Sequence, residues 1–83
     1  MKPFGRGLLY MTRSERIDFS AFCTADQALE VLADPGEYST EPYDAAYFID
    51  NNDYTFKLVD GQWVVEPDCE FTKVQGLGEI LFL

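Results

Sequence analysis

Residues 45–66, AAYFIDNNDYTFKLVDGQWVVE, decide the fold because they hold a strong turn between two runs of β-forming residues. Asp60-Gly61 is a two-residue hairpin turn, since glycine readily adopts the positive φ that such turns need. The turn predicts the cross-strand pairs Val59 with Gln62, Leu58 with Trp63, and Phe56 with Val65. This register separates an apolar face from a more polar face, as a half-buried sheet requires.

A second turn at Asn51-Asn52 extends the hairpin to three strands. A two-residue turn there would place Ile49 opposite Tyr54 and Tyr47 opposite Phe56. The sequence therefore predicts a meander with one apolar face, formed by Tyr47, Ile49, Tyr54, Phe56, Leu58, Trp63 and Val65.

A single helix is predicted from Ala25 to Ala33. Thr24 and Gln27 have the spacing of a capping box, in which each residue's side chain accepts from the other's backbone N–H. The segment Asp34-Pro35-Gly36 ends the helix, because the residue before proline is disfavoured in the α region. One face is apolar, with Ala25, Ala28, Leu29 and Leu32, and the other carries Asp26, Glu30 and Asp34.

The remaining strands are predicted from short apolar or alternating runs. Residues 8–12 form one run, and Ile17, Phe19 and Ala21 alternate with polar residues in a second. Residues 71–74 and the terminal residues 80–83 add further strands, and we expect the terminal one beside the strand at 8–12. The predicted fold class for residues 1–83 is a single α+β domain: an antiparallel sheet of five or six strands, with one helix packed on one face.

The residue types exclude most enzyme chemistry. The chain has no histidine, so neither a Ser-His-Asp nor a Cys-His site can form. Cys23 and Cys69 are too far apart in sequence to indicate zinc. Residues 50–53 resemble the start of a calcium-binding loop, but Tyr54 stands where the third oxygen ligand should be. We therefore expect no enzyme activity, no cofactor and no metal.

Location follows from the same composition. The chain has neither a signal-peptide pattern nor an apolar run of about 18–20 residues, so we expect a cytoplasmic protein with reduced cysteines. Its net charge is −9, from 6 Lys and Arg against 15 Asp and Glu, which disfavours direct binding to nucleic acid or to anionic membranes.

The charge is unevenly divided along the chain. Residues 1–16 carry a net charge of +3 and residues 17–83 a net charge of −12. Between Asp26 and Glu70 there are 12 acids and only Lys57 in opposition. Such a surface attracts a basic partner and makes binding depend on salt. The alternative is an ordinary solvated surface that maintains solubility. The candidate partner-binding residues are Asp26, Glu30, Asp34, Glu37, Glu41, Asp44, Asp50 and Asp53.

A small acidic domain with Asp26, Glu30 and Asp34 on a helix, and Glu37, Glu41 and Asp44 in the next loop, resembles the phage-borne inhibitors of host defence. That class includes anti-CRISPR and anti-restriction proteins, several of which act as DNA mimics. The resemblance implies binding to the nucleic-acid cleft of a CRISPR effector, restriction enzyme or nuclease in a bacterial host cytoplasm. An immunity protein or antitoxin that blocks a nuclease toxin is the alternative. The basic residues 1–16 depart from a pure mimic, and either contact a second surface or form salt bridges that orient the sheet.

Overall fold

The computed structural model describes residues 1–14, 16–34, 43–66 and 80–83. These residues form one six-stranded sheet and one helix, so the α+β prediction is confirmed at that level. The strand order is β5-β4-β3-β1-β2-β6, and every neighbouring pair is antiparallel except β2 and β6. The elements are β1 (Arg6–Arg13), β2 (Arg16–Thr24), α1 (Ala25–Ala33), β3 (Ala45–Ile49), β4 (Thr55–Val59), β5 (Gln62–Val65) and β6 (Leu81–Phe82). The strand predicted at residues 71–74 lies outside the described residues.

The helix begins and ends where the sequence predicts. The Gln27 N–H donates to the Thr24 hydroxyl at 3.1 Å, and the Thr24 N–H donates to the Gln27 side-chain oxygen at 2.9 Å. This capping box satisfies backbone donors that a helix start otherwise leaves unpaired. The buried side chains of the helix are those of Ala28, Val31 and Leu32. Val31 is therefore buried where the periodicity predicted Leu29, which is only half-buried.

The β4–β5 hairpin has the predicted register. Its pairs are Val59 with Gln62, Leu58 with Trp63, and Phe56 with Val65. Asp60 and Gly61 have φ of 51° and 78°, so both central residues are left-handed, as in a type I′ turn. A local turn signal was sufficient here because the hairpin is short and its register depends on the turn alone.

The predicted register between β3 and β4 is wrong by one residue. Phe48 pairs with Phe56, and Tyr47 pairs with Lys57. The loop contains three residues rather than two, because Asp53 adds a left-handed residue with φ of 63° and the Asp50 N–H donates to the Tyr54 carbonyl. Since side chains alternate along a strand, the extra residue moves the whole of β3 to the opposite face.

The consequence is an exchange of residues between the two faces of the sheet. Phe48 lies in the main core, whereas Tyr47 and Ile49 belong to a separate cluster with Tyr10. Tyr54, predicted on the apolar face, is 47% exposed. The main core comprises Leu9, Met11, Ala21, Cys23, Ala28, Val31, Leu32, Ala46 and Phe48.

A bulge in β2 also changes the predicted alternation. Met11 pairs with Phe19 and Thr12 with Ile17, which leaves Asp18 as an extra residue on β2. Phe19 consequently packs against the main core, while Ile17 packs against the Tyr10–Tyr47 cluster. A bulge places an additional residue on one strand and redirects the side chains that flank it.

The last strand lies beside β2 and not, as expected, beside β1. Ala21 pairs with Leu81 and Phe22 with Phe82 in a parallel arrangement. The Leu83 N–H donates to the Phe22 carbonyl at 3.0 Å, which continues this pairing. β1 already has β2 on one side and β3 on the other, so the terminal strand pairs with the outer edge of β2.

Candidate acidic interface

The three helix acids form an exposed row, here called the acidic ridge: Asp26, Glu30 and Asp34. Asp26 and Glu30 lie one turn apart on α1, and Asp34 is the residue that caps its C-terminus, so the row extends about 12 Å along the helix axis. In the part of the chain that the structure describes, one ion pair is found, and it joins Arg13 to Asp18 at 3.0 Å. The ridge therefore has no cationic neighbour at ion-pair distance among the described residues.

The helix that carries the ridge is capped and partly buried, but the ridge has an electrostatic cost. Burial of Ala28, Val31 and Leu32 and the capping box fix the helix beneath it. Each like-charged pair four residues apart costs about 0.2–0.5 kcal/mol in an isolated helix. Asp26 in the first turn is favoured by the helix dipole, whereas Asp34 stands at the disfavoured end, and the last turn has no basic residue.

Asp44 lies at one end of the sheet, at the start of β3. Its carboxylate accepts from the Ser14 N–H at 2.7 Å, and its own N–H donates to the Thr12 carbonyl at 2.8 Å. The residue is exposed, so one part of the carboxylate remains accessible while the other stabilises the turn after β1.

Asp50 is buried, which removes it from the candidate binding residues. Its side chain is 4% exposed, and its two oxygens accept from three backbone N–H groups. The Asn52 and Tyr54 N–H groups donate at 2.9 and 3.0 Å to one oxygen, and the Phe4 N–H donates at 3.0 Å to the other. The carboxylate thus organises the β3–β4 loop and holds the N-terminal segment against it.

The candidate acids do not form one continuous patch. Asp53 is exposed in the β3–β4 loop, which contacts Phe4 just before β1. Asp44 contacts Ser14 just after β1, so the two acids lie at opposite ends of a strand about 23 Å long. Glu37 and Glu41 lie outside the described residues. Asp26, Glu30 and Asp34 are the candidates that one described element, α1 with its C-cap, carries in a row.

Two arginines of the basic N-terminal segment, Arg6 and Arg13, contact neighbouring strands of the sheet. Arg13 pairs with Asp18 at the bulge of β2. The Arg6 guanidinium lies 5.0 Å from the centre of the Phe22 ring and donates to the carbonyls of Phe22 and Leu83. Of the two roles left open for residues 1–16, these contacts favour orientation of the sheet.

Cys23 is free and buried. Burial raises the pKa of its thiol above the ordinary value of 9.0, more than the nearby Arg6 charge lowers it. A protonated thiol is a poor nucleophile and a poor metal ligand. Cys69 lies outside the described residues. Within the described ranges, no group of three or more Cys, Asp or Glu side chains is placed to hold a metal ion.

An open groove borders the acidic ridge at its Asp26 end, with a volume of about 540 Å³. It lies between the N-terminal segment, α1 and the β4–β5 turn. Trp63 lines it from β5 and donates its indole N–H to the Ala25 carbonyl at 3.4 Å. The residues that line this groove, called the Trp63 groove, include Lys2, Pro3, Asp26, Leu29, Gln62 and Trp63. The sequence had no signal for it, because three separate segments form its walls.

Comparison with known proteins found no family model, no curated protein and no solved structure that matches this chain. Among the described residues, no helix has both the length and the apolar character to cross a membrane.

Proposed function

We propose that this protein is a small acidic inhibitor that docks the acidic ridge into the nucleic-acid-binding cleft of a basic protein, in the manner of a DNA mimic. The observation that carries the proposal is the exposure of Asp26, Glu30 and Asp34 along an anchored helix and its C-terminal cap, with no ion pair to any of the three among the described residues. If the row served only solubility, lysines among the acids would keep the surface soluble without the repulsion between like charges.

The spacing of the ridge suits a channel built for a phosphate backbone. Carboxylates one turn apart stand about 6 Å from each other along the helix. Duplex DNA offers a phosphate every ~3.4 Å of rise on each strand, and more widely through space because the strand winds. A preformed ridge also loses less conformational entropy on docking than a disordered acidic tail would.

The direction in which the ridge points depends on how α1 packs against the sheet. We infer that α1 packs on one face of the sheet through Ala28, Val31 and Leu32, which share a buried cluster with residues of β1, β2 and β3. The acids on the other side of the helix are then directed away from the sheet. The sheet serves as a rigid base for the charged helix.

The partner class that fits this surface is a CRISPR effector, a restriction enzyme or another nuclease of a bacterial cytoplasm. Such proteins hold nucleic acid in basic clefts, and electrostatic attraction speeds encounter with an acidic ligand. Neither direct nucleic-acid binding nor catalysis is part of the proposal.

The test is displacement of labelled duplex DNA from purified CRISPR and restriction complexes. The intact protein should displace DNA, and its affinity should fall steeply as salt is raised. The triple variant Asp26→Lys, Glu30→Lys, Asp34→Lys should lose roughly 100-fold in affinity, at about 1 kcal/mol for each reversed contact. Circular dichroism would verify that the variant remains folded.

A matched pair of variants separates position from total charge. Glu30→Gln with Asp34→Asn, and Asp53→Asn with Asp60→Asn, each remove two negative charges. Only the first pair should weaken displacement. Equal inhibition by the triple variant and the parent would refute the ridge as the site. Tight binding to a small nuclease toxin, with no displacement of DNA from the larger complexes, would instead identify an immunity protein.

A further inference from the structure

We propose that β5 pairs with β5 of a second copy of this chain, antiparallel and about a two-fold axis at Val64. β5 stands at one end of the strand order, so β4 pairs with one of its sides and no strand of the described sheet lies beside the other. Three of its four residues, Gln62, Val64 and Val65, are exposed. The inference is independent of the proposed inhibition.

The strand lacks the features that keep an exposed edge from pairing. Edge strands of monomeric proteins commonly carry charged residues, lysine above all, or proline, which oppose the addition of another strand. β5 reads Gln-Trp-Val-Val, without charge or proline, in a chain of which 25% of the residues are charged. Val64 is 46% exposed and Val65 is 36% exposed, and alternation directs them to opposite faces. Both faces of the edge therefore offer apolar surface.

The backbone direction of β5 shows which groups are open to a second strand. The Glu66 N–H donates to the Thr55 carbonyl at 2.8 Å, so Glu66 directs its N–H toward β4. Because this direction alternates in an antiparallel ladder, Trp63 and Val65 direct their N–H and C=O groups outward. A two-fold axis at Val64 places Trp63 opposite Val65 of the second copy, and Val65 opposite Trp63. Each of these pairs exchanges both N–H···O bonds.

The side chains of the other face match in the same register. Val64 meets Val64 of the second copy, and Gln62 meets Glu66 on either side of that pair. The Gln62 amide is exposed and can donate to the carboxylate. Glu66 has acceptor capacity to receive it, since its buried Oε2 has no hydrogen-bond partner while the side chain as a whole is partly exposed. No two carboxylates stand directly opposite each other, and like charges in that position would destabilise the pair.

Pairing through the same strand on both copies is isologous, so the assembly closes at two chains. At longer range the two copies repel, because each carries a net charge of −9. Salt screens that repulsion and leaves backbone hydrogen bonds and valine contacts largely in place. Dimerisation should therefore strengthen as salt is raised, whereas binding of the acidic ridge to a basic cleft should weaken. This opposite response separates the two interactions.

The experiment is sedimentation equilibrium of the intact protein at about 10 µM to 1 mM, a range that covers weak association. We expect the average mass to rise with concentration from that of one chain, 9.5 kDa, toward twice that value. The dissociation constant should fall about fivefold between about 0.05 and 0.5 M sodium chloride. The mass of a single chain throughout, or a dimer that weakens with salt, would overturn the pairing.

Three lysine variants make the same change in charge at matched positions. Val64→Lys sets two like charges opposite each other at the axis, so it should weaken dimerisation at least tenfold. Gln62→Lys faces Glu66 of the second copy and should tighten it about threefold. Val59→Lys is the control, because Val59 is 44% exposed on the same face but belongs to β4, one strand in from the edge. It should change the dissociation constant by less than twofold.

Every pattern of results decides the proposal. Equal weakening by Val59→Lys and Val64→Lys, or weaker dimerisation by Gln62→Lys, would overturn it, and circular dichroism would verify that all three variants fold. A protein that displaces DNA but stays monomeric would overturn the β5 pairing and leave the acidic ridge as the proposed site. A dimer with the expected responses to salt and lysine would support the pairing even if no effector complex releases its DNA.

Discussion

Replacement of Phe48 by alanine should lower the free energy of unfolding by about 3–5 kcal/mol. The side chain is fully buried, pairs with Phe56 across the β3–β4 ladder and lies beside the Trp63 ring. Its removal would leave a cavity in a core that is thin, because a small domain buries a smaller fraction of its surface than a large one. Urea denaturation followed by circular dichroism would measure the loss.

The neighbouring residue provides the control. Ile49 faces the other cluster and is only half-buried, so Ile49→Ala should cost about 1–2 kcal/mol. The register expected from a two-residue turn reverses this order, because it directs Ile49 to the main core and Phe48 away from it. A larger loss for Ile49→Ala would therefore contradict the observed register. Should Phe48→Ala fail to fold, Phe48→Leu would make the same comparison with a smaller loss.

Asp50→Ala should be the second most damaging substitution, with a loss of about 2–4 kcal/mol. The change removes the acceptor of three backbone N–H groups, and hydrogen bonds to a charged group contribute more than neutral ones. Asp50→Asn should have an intermediate effect, since its one oxygen can serve Asn52 and Tyr54 while its amide faces the Phe4 N–H. Thermal unfolding of the three proteins would give the order.

The matched control for Asp50 is another acid of the same loop. Asp53→Asn removes the same charge at an exposed, left-handed position that asparagine tolerates. It should change stability by less than about 0.5 kcal/mol. If Asp50→Ala cost no more than Asp53→Asn, the buried carboxylate would not be the group that organises the loop. Faster hydrogen exchange at the Phe4 amide in Asp50→Ala would show release of the N-terminal segment.

Local signals predicted the helix and the β4–β5 hairpin, because the residues that determine them are neighbours. Thr24 and Gln27 are three positions apart, and Asp60-Gly61 is itself the turn. The β3–β4 register was not predictable in this way. It depends on Asp50, whose carboxylate is fixed partly by Phe4, 46 residues away. The place of β6 likewise depends on Arg6 and Leu83, which are 77 residues apart.

The same distinction applies to the candidate site. The acidic ridge follows from a four-residue spacing on a predicted helix, and the exposure of its three acids agrees with that spacing. Asp50 was assigned to the same surface because charge patterning does not reveal which carboxylates are buried. The run Asp50-Asn51-Asn52 was the one sequence feature that indicated a structural role for Asp50, because Asp and Asn side chains often form hydrogen bonds with the backbone of a turn.

The position of Asp34 has a consequence for the evolution of this protein. A carboxylate at the end of α1 opposes the helix dipole and repels Glu30, so its replacement by lysine should stabilise the fold. Selection for heat resistance alone would favour that replacement, while selection for the proposed inhibition would remove it. Laboratory evolution under these two pressures should thus drive position 34 toward opposite charges, and the persistence of the acid would mark the residue as kept for its partner.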